Sequence, residues 1–195
     1  DWFRSSGLKL DERGYVTVDG YGRTNLDGVW ALGDITPGHA LAHRAFEQGI
    51  TIAEKIAGAD PKPVLDDTVP QVVFSFPEAA SVGLTLDQAK AREDVVEPKE
   101  TAYPMLSNAR MLMSGEGGSM TVVSGAFANN PDMQVVLGVH IVSPIASDLI
   151  AEAEQLVGNR VPLADAARLI HPHPTFSETL GEALLKADGR PLHTR

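Results

Sequence analysis

The stretch SMTVVSGAFANNPDMQVVLGVHI, residues 119–141, decides the fold class. Ser119–Ser124 and Gln134–Ile141 are both rich in Val and read as strands. Between them Asn129-Asn130-Pro131-Asp132 is a turn signal, since Asn tolerates left-handed backbone and Pro cannot extend a central strand. Strands joined so tightly must run antiparallel, because a parallel pair needs a long crossover. Downstream the pattern becomes helical. Pro144 suits the first turn of a helix running to about Val157, and Pro162–Leu169 reads as a second. Thr175-Phe176-Ser177-Glu178 has capping-box spacing and should open a last helix ending near Gly189. Upstream, Gln71–Phe76 is a strand, Thr85-Leu86-Asp87-Gln88 a capping box, and Val95–Tyr103 extended. Hairpin-connected strands followed by helices predict an α+β domain with an antiparallel sheet.

Further toward the N-terminus, Ala59–Asp67 is polar and contains Pro, and is the expected boundary between residues 1–66 and 67–195. The first sixty residues read as a short αβ unit. Gly14–Asp19 alternates like a strand, and Val29-Trp30-Ala31-Leu32 is an apolar run expected to be a buried parallel strand ending at Gly33-Asp34. Leu41–Ala57 carries apolar side chains at helical spacing, with Gly58 as the C-cap. So short a unit cannot cover both faces of a parallel strand. It is expected to be the remnant of a larger α/β nucleotide-binding domain. Asp1 stands where an initiator Met would, so the chain reads as a cut into a longer one.

Composition narrows the function classes. Hydrophobic residues are 43% and charged residues 22% of 195, as in globular proteins. The net charge of −10, with no Lys/Arg cluster, argues against a nucleic-acid partner. No apolar run is long enough to span a bilayer and no signal-peptide pattern is present, so a cytoplasmic location is expected. There is no cysteine, so thiol chemistry would need cysteines from elsewhere.

Two constellations carry candidate chemistry. Gly33-Asp34 lies where a strand meets a loop before a helix, a ligand-binding position in α/β sheets. An aspartate there can accept from a sugar or ribityl hydroxyl, and the helix N-terminus can face a carbonyl or phosphate; equally, Asp34 could simply end the strand. His171-Pro172-His173-Pro174-Thr175-Phe176-Ser177-Glu178 is the second. Paired histidines can bind metal, but zinc needs a third and usually a fourth ligand, and none is indicated, so no metal is expected. Glu178 has a capping role that would account for it alone; it could also orient His173 as an acid–base pair. No G-x-G-x-x-G or P-loop is present. Met105, Met111 and Met113 form no helical stripe and read as core or interface filler.

Together these segments resemble the pyridine nucleotide–disulphide oxidoreductases. TNLDGVWALGD, residues 24–34, resembles the family's second FAD motif, and Ala40-Leu41-Ala42-His43 with the following Arg44–Gly49 resembles its flavin-contacting segment. VPQVVFSFPEAASVGLT, residues 69–85, resembles the start of the family's dimerisation domain, and HPHPTFSE its C-terminal active-site signature. The H-x-H-P-T-x-S-E form and Asn108-Ala109-Arg110 are most similar to the dihydrolipoamide dehydrogenase branch. Glutathione-, mycothiol- and quinone-type reductases stay open, as does a non-catalytic dimerisation module.

The resemblance implies a flavin-dependent enzyme that oxidises a dithiol and passes electrons to FAD and then NAD. It implies His173 as acid–base catalyst and Glu178 as its carboxylate partner. It implies Asp34, Ala40, Leu41, Ala42 and His43 as FAD contacts, and Pro174 as a cis proline. It implies a homodimer, and a lipoyl-bearing protein or small disulphide as substrate. The family's G-x-G-x-x-G, its C-x-x-x-x-C pair and its NAD domain are not in this sequence. The region by itself is therefore expected to hold FAD poorly and to lack thiol activity.

Overall fold

The computed structural model describes residues 5–194. They divide into two compact units, with the division between Asp66 and Asp67. In the first, helix α1 (Ala42–Ile56) forms where the helical spacing predicts it. Gly58 ends it: at φ 85° it turns left-handed, and Ala59 N–H reaches back to the Glu54 carbonyl at 2.9 Å.

The two strands expected upstream reduce to isolated antiparallel bridges, Leu10 with Val16 and Arg23 with Trp30. Val29–Leu32 is not a buried parallel strand. Ala31 is buried, but Val29 and Leu32 are exposed. Among the described residues no strand lies parallel beside this run, and a parallel strand needs neighbours and covering helices to bury it. Polar contacts hold the unit instead. The buried Arg44 of α1 gives Nε–H to Asp66 Oδ1 at 2.6 Å and Nη2–H to the Pro37 carbonyl at 2.6 Å. Gln48 accepts the Gly33 N–H at 2.8 Å.

The second unit is a five-stranded antiparallel sheet in the order β1-β2-β5-β4-β3. Its strands are β1 (Gln71–Val73), β2 (Glu78–Gly83), β3 (Val95–Pro104), β4 (Ser119–Phe127) and β5 (Asn130–Ser143). The α+β expectation is met. β4 and β5 are central, so both faces of each are covered. Alternation divides neighbouring side chains of β4 between two cores: Val122 packs on one face and Val123 on the other.

Two strand ends differ from the expected ones. The hairpin turn is Ala128-Asn129, with Phe127 opposite Asn130. Pro131 falls where the register jumps from Phe127–Asn130 to Ala126–Gln134, a place where its missing N–H costs no ladder bond. β1 stops at Val73, because the chain must reverse before β2 pairs with it; the turn contains a cis Phe76–Pro77 bond and a Ser75 hydroxyl donating to the Pro77 carbonyl at 2.7 Å.

The helices cover the sheet. α2 (Leu86–Ala91) starts with the predicted capping box, Thr85 and Gln88 bonding reciprocally, and buries Ala89 against Val123, Val135 and Leu137. α3 (Ala109–Ser114) is capped by the Asn108 side chain. α4 (Ala146–Gly158) and α6 (Glu178–Ala187) pack Leu149, Ile150, Ala153, Leu180 and Leu184 onto Met120, Val122, Val139 and Ile141. The first turn of α4 takes its cap from the sheet, since Glu78 of β2 accepts the Ser147 N–H at 2.8 Å. α5 (Leu163–Ala166) is shorter than the expected Pro162–Leu169 helix. Met105 and Met111 are fully buried core residues, whereas Met113 is exposed. No helix among the described residues is long and apolar enough to cross a membrane.

Candidate active site

The loop between α5 and α6 carries the histidine motif. Pro172 and Pro174 keep it extended, and the His173–Pro174 bond is cis. The predicted capping box is only half formed. Glu178 Oε2 accepts the Thr175 N–H at 2.7 Å. The Thr175 hydroxyl donates to the Pro172 carbonyl at 2.7 Å and contacts Ser177 Oγ at 2.9 Å, rather than receiving the Glu178 N–H. α6 consequently begins at Glu178, three residues after Thr175.

This geometry leaves one Glu178 oxygen for a second task. Oε1 lies 2.9 Å from His173 Nδ1. The His173 ring is 70% exposed and the Glu178 side chain 21% exposed. Desolvation raises the Glu178 carboxyl, but the Thr175 amide and then His173 outweigh it and hold the group below its ordinary value. An ionised Glu178 accepts from Nδ1–H, which leaves Nε2 as the basic nitrogen facing outward.

His171 stands two residues away in different surroundings. Its Nε2 meets Glu152 Oε1 of α4 at 2.8 Å, and its side chain is only 9% exposed. The Glu152 hydrogen bond raises its pKa, burial opposes this, and a backbone hydrogen bond at Leu169 adds to the rise. The ring lies against Gly181 of α6, where an added Cβ would come within 2.6 Å of Nδ1.

Three groups that the sequence reading did not assign to the site bear on the loop. Asn108 caps α3 by accepting the Met111 N–H at 3.1 Å, and its amide donates to the Thr175 carbonyl at 3.1 Å. Arg110 places its guanidinium 5.5 Å from the centre of the Phe176 ring. Tyr103 of β3 is fully buried beneath; its hydroxyl is pushed up to about 12 by burial, with Glu182 and Glu178 adding to the effect, so it stays neutral. Asn108 had a visible signal, a cap residue before a short apolar helix. Glu152 had none. Among the described residues no cluster of three or more His, Asp or Glu could hold a metal.

The other sequence-predicted residues lie in the first unit. Asp34 is exposed in a short turn, Gly33–Ile35, that packs on α1. Ala40, Ala42 and His43 are exposed and Leu41 partly so, and no side chain caps the start of α1 at Leu41. An exposed carboxylate near a helix start without a side-chain cap offers an acceptor for a hydroxyl and donors for a carbonyl or phosphate, which fits a flavin nucleotide.

Comparison with known proteins places these features. The family model for the pyridine nucleotide-disulphide oxidoreductase dimerisation domain matches residues 69–184, and that for pyridine nucleotide-disulphide oxidoreductase matches residues 1–49. A dihydrolipoyl dehydrogenase of Cupriavidus necator is 41% identical over 96% of this chain and 38% of its own length. One of Bacillus subtilis is 38% identical over 94% and 38%. The chain thus spans little more than a third of these relatives. LpdA of Mycobacterium tuberculosis superposes with a TM-score of 0.82 at 31% identity, covering 93% of this chain and 38% of that one. The Escherichia coli HOCl-induced flavoprotein disulfide reductase RclA shares the fold, with a TM-score of 0.77 at 22% identity, covering 93% and 41%.

Proposed function

Because the chain belongs to the pyridine nucleotide–disulphide oxidoreductase family, we propose that it supplies the acid–base half of the active site in a flavin-dependent dihydrolipoamide dehydrogenase. In this reading residues 67–195 are the dimerisation domain and residues 1–66 the end of the NAD/FAD-binding region. The observation that carries it is the exposed His173 ring held at Nδ1 by Glu178.

His173 Nε2 takes the proton from a thiol of the dithiol substrate. The resulting thiolate is the competent nucleophile, and it attacks one sulfur of a disulphide supplied from outside this chain, forming one S–S bond as the other breaks. Glu178 keeps Nδ1 protonated before the transfer and stabilises the imidazolium after it. The Nε2 proton is then returned in the reverse direction. Asp34 would hold a hydroxyl of FAD, and the backbone of Ala40, Leu41, Ala42 and His43 its polar groups. When bound, FAD supplies the two-electron acceptor between the dithiol and NAD. The partners are a second copy of the subunit and a lipoyl-bearing protein or small disulphide.

The test is His173→Gln in a complete enzyme that carries this region. Dihydrolipoamide oxidation should fall by about a hundredfold or more, while NADH-driven reduction of a dye acceptor persists. An unchanged dithiol rate removes His173 from the mechanism. A complete enzyme that prefers glutathione disulphide or a quinone to lipoamide would keep the family and replace the substrate.

A further inference from the structure

His171 belongs to the same loop as His173 but has no place in the chemistry above. Its surroundings are those of a charged ring. Glu152 meets one ring nitrogen, and the backbone at Leu169 offers a further hydrogen bond. An imidazole whose two nitrogens both face acceptors can satisfy them only when both carry protons. Gly181 leaves room for the ring against α6, and Glu152 ties it to α4. These contacts join two helices of the main core to the residue two positions before His173.

We infer that His171 is a positioning residue: as an imidazolium clamped between Glu152, the Leu169 backbone and Gly181, it fixes the loop that aims His173 and Glu178. The tandem histidines are therefore divided by protonation state. His173 works as a neutral base and His171 as a permanent cation. The inference rests on the functional reading only for its effect on rate; the clamp itself is a property of this chain.

The charges facing His171 are Glu152 from α4 and Glu178 from α6, both acidic, with His173 two residues along the loop. Its pKa is raised by Glu152 first. A raised histidine stabilises the fold fully below the unfolded value of about 6.5, and this stabilisation is lost as pH rises through the folded value. The two histidines consequently act on opposite limbs of a pH–rate profile. Activity rises with pH as His173 becomes a neutral base and falls at higher pH as His171 gives up its proton.

The test uses this chain and a complete enzyme carrying it. In the chain, imidazole NMR should place the His171 midpoint above the ordinary histidine value, and Glu152→Gln should bring it down. The Thr175 amide, which donates to Glu178, should exchange about tenfold faster in Glu152→Gln, with Glu152→Asp restoring protection. In the complete enzyme Glu152→Gln should slow dithiol oxidation about tenfold and shift only the alkaline limb to lower pH. A His171 midpoint at or below the ordinary value overturns the inference. So does a Glu152→Gln chain with wild-type Thr175 exchange and an unshifted alkaline limb. Should Glu152→Gln fail to fold, the wild-type midpoint and the aspartate variant decide. If His173→Gln leaves dithiol oxidation intact, the functional reading fails alone, and the titration and exchange results still judge the clamp.

Discussion

His171 and His173 stand two residues apart, and each meets a glutamate within 3 Å, yet they differ in nearly every other respect. His173 pairs with Glu178, five residues on, at the exposed start of α6. His171 pairs with Glu152, nineteen residues back on a helix of the main core, and is almost covered. Histidine–carboxylate pairing alone therefore does not mark a catalytic group. What separates the two is access: one ring keeps a nitrogen facing outward, and the other spends its nitrogens on the scaffold.

The comparison can be broken from either side. Glu178→Gln removes the charge that holds the His173 tautomer, and in a complete enzyme should slow dithiol oxidation by about a hundredfold, equivalent to about 2.7 kcal/mol. Single-turnover reduction by dihydrolipoamide measures it; a loss below about threefold would mean that Glu178 serves only the Thr175 turn. Gly181→Ala attacks the other pair. Its methyl would push into the His171 ring, and overpacking of this kind costs about 1–3 kcal/mol in denaturant unfolding. Asn108→Ala removes the α3 cap and the bond to the Thr175 carbonyl, for an expected loss of about 1–2 kcal/mol. The smallest effect is acid sensitivity from Glu178. Its carboxyl is held low, so its contribution is present above the unfolded value of about 4.3 and is lost as pH falls through the depressed folded value. Glu178→Gln should flatten that part of the stability curve.

These two pairs also divide what was legible in the sequence. His173 and Glu178 lie on one short segment with capping-box spacing, so their meeting could be read locally. Glu152 could not, because its approach to His171 depends on how α4 and α6 pack on the sheet. The same contrast holds for the fold. The Thr85 box, the Gly58 stop and the β4–β5 hairpin follow from local pattern, and the antiparallel sheet follows from the hairpin. Val29–Leu32 misled because an apolar run states that a strand could be buried, whereas neighbours decide whether it is. The half-formed box at Thr175 misled for a subtler reason: its spacing was right, but the threonine hydroxyl had a nearer acceptor in Pro172.

The account stands most directly on one paired measurement: single-turnover reduction of a complete enzyme by dihydrolipoamide in His173→Gln and in His171→Gln. The division of labour predicts a loss of about a hundredfold or more for His173→Gln and about tenfold for His171→Gln, with reduction by NADH unchanged in both. A His171→Gln loss equal to or greater than that of His173→Gln would contradict it.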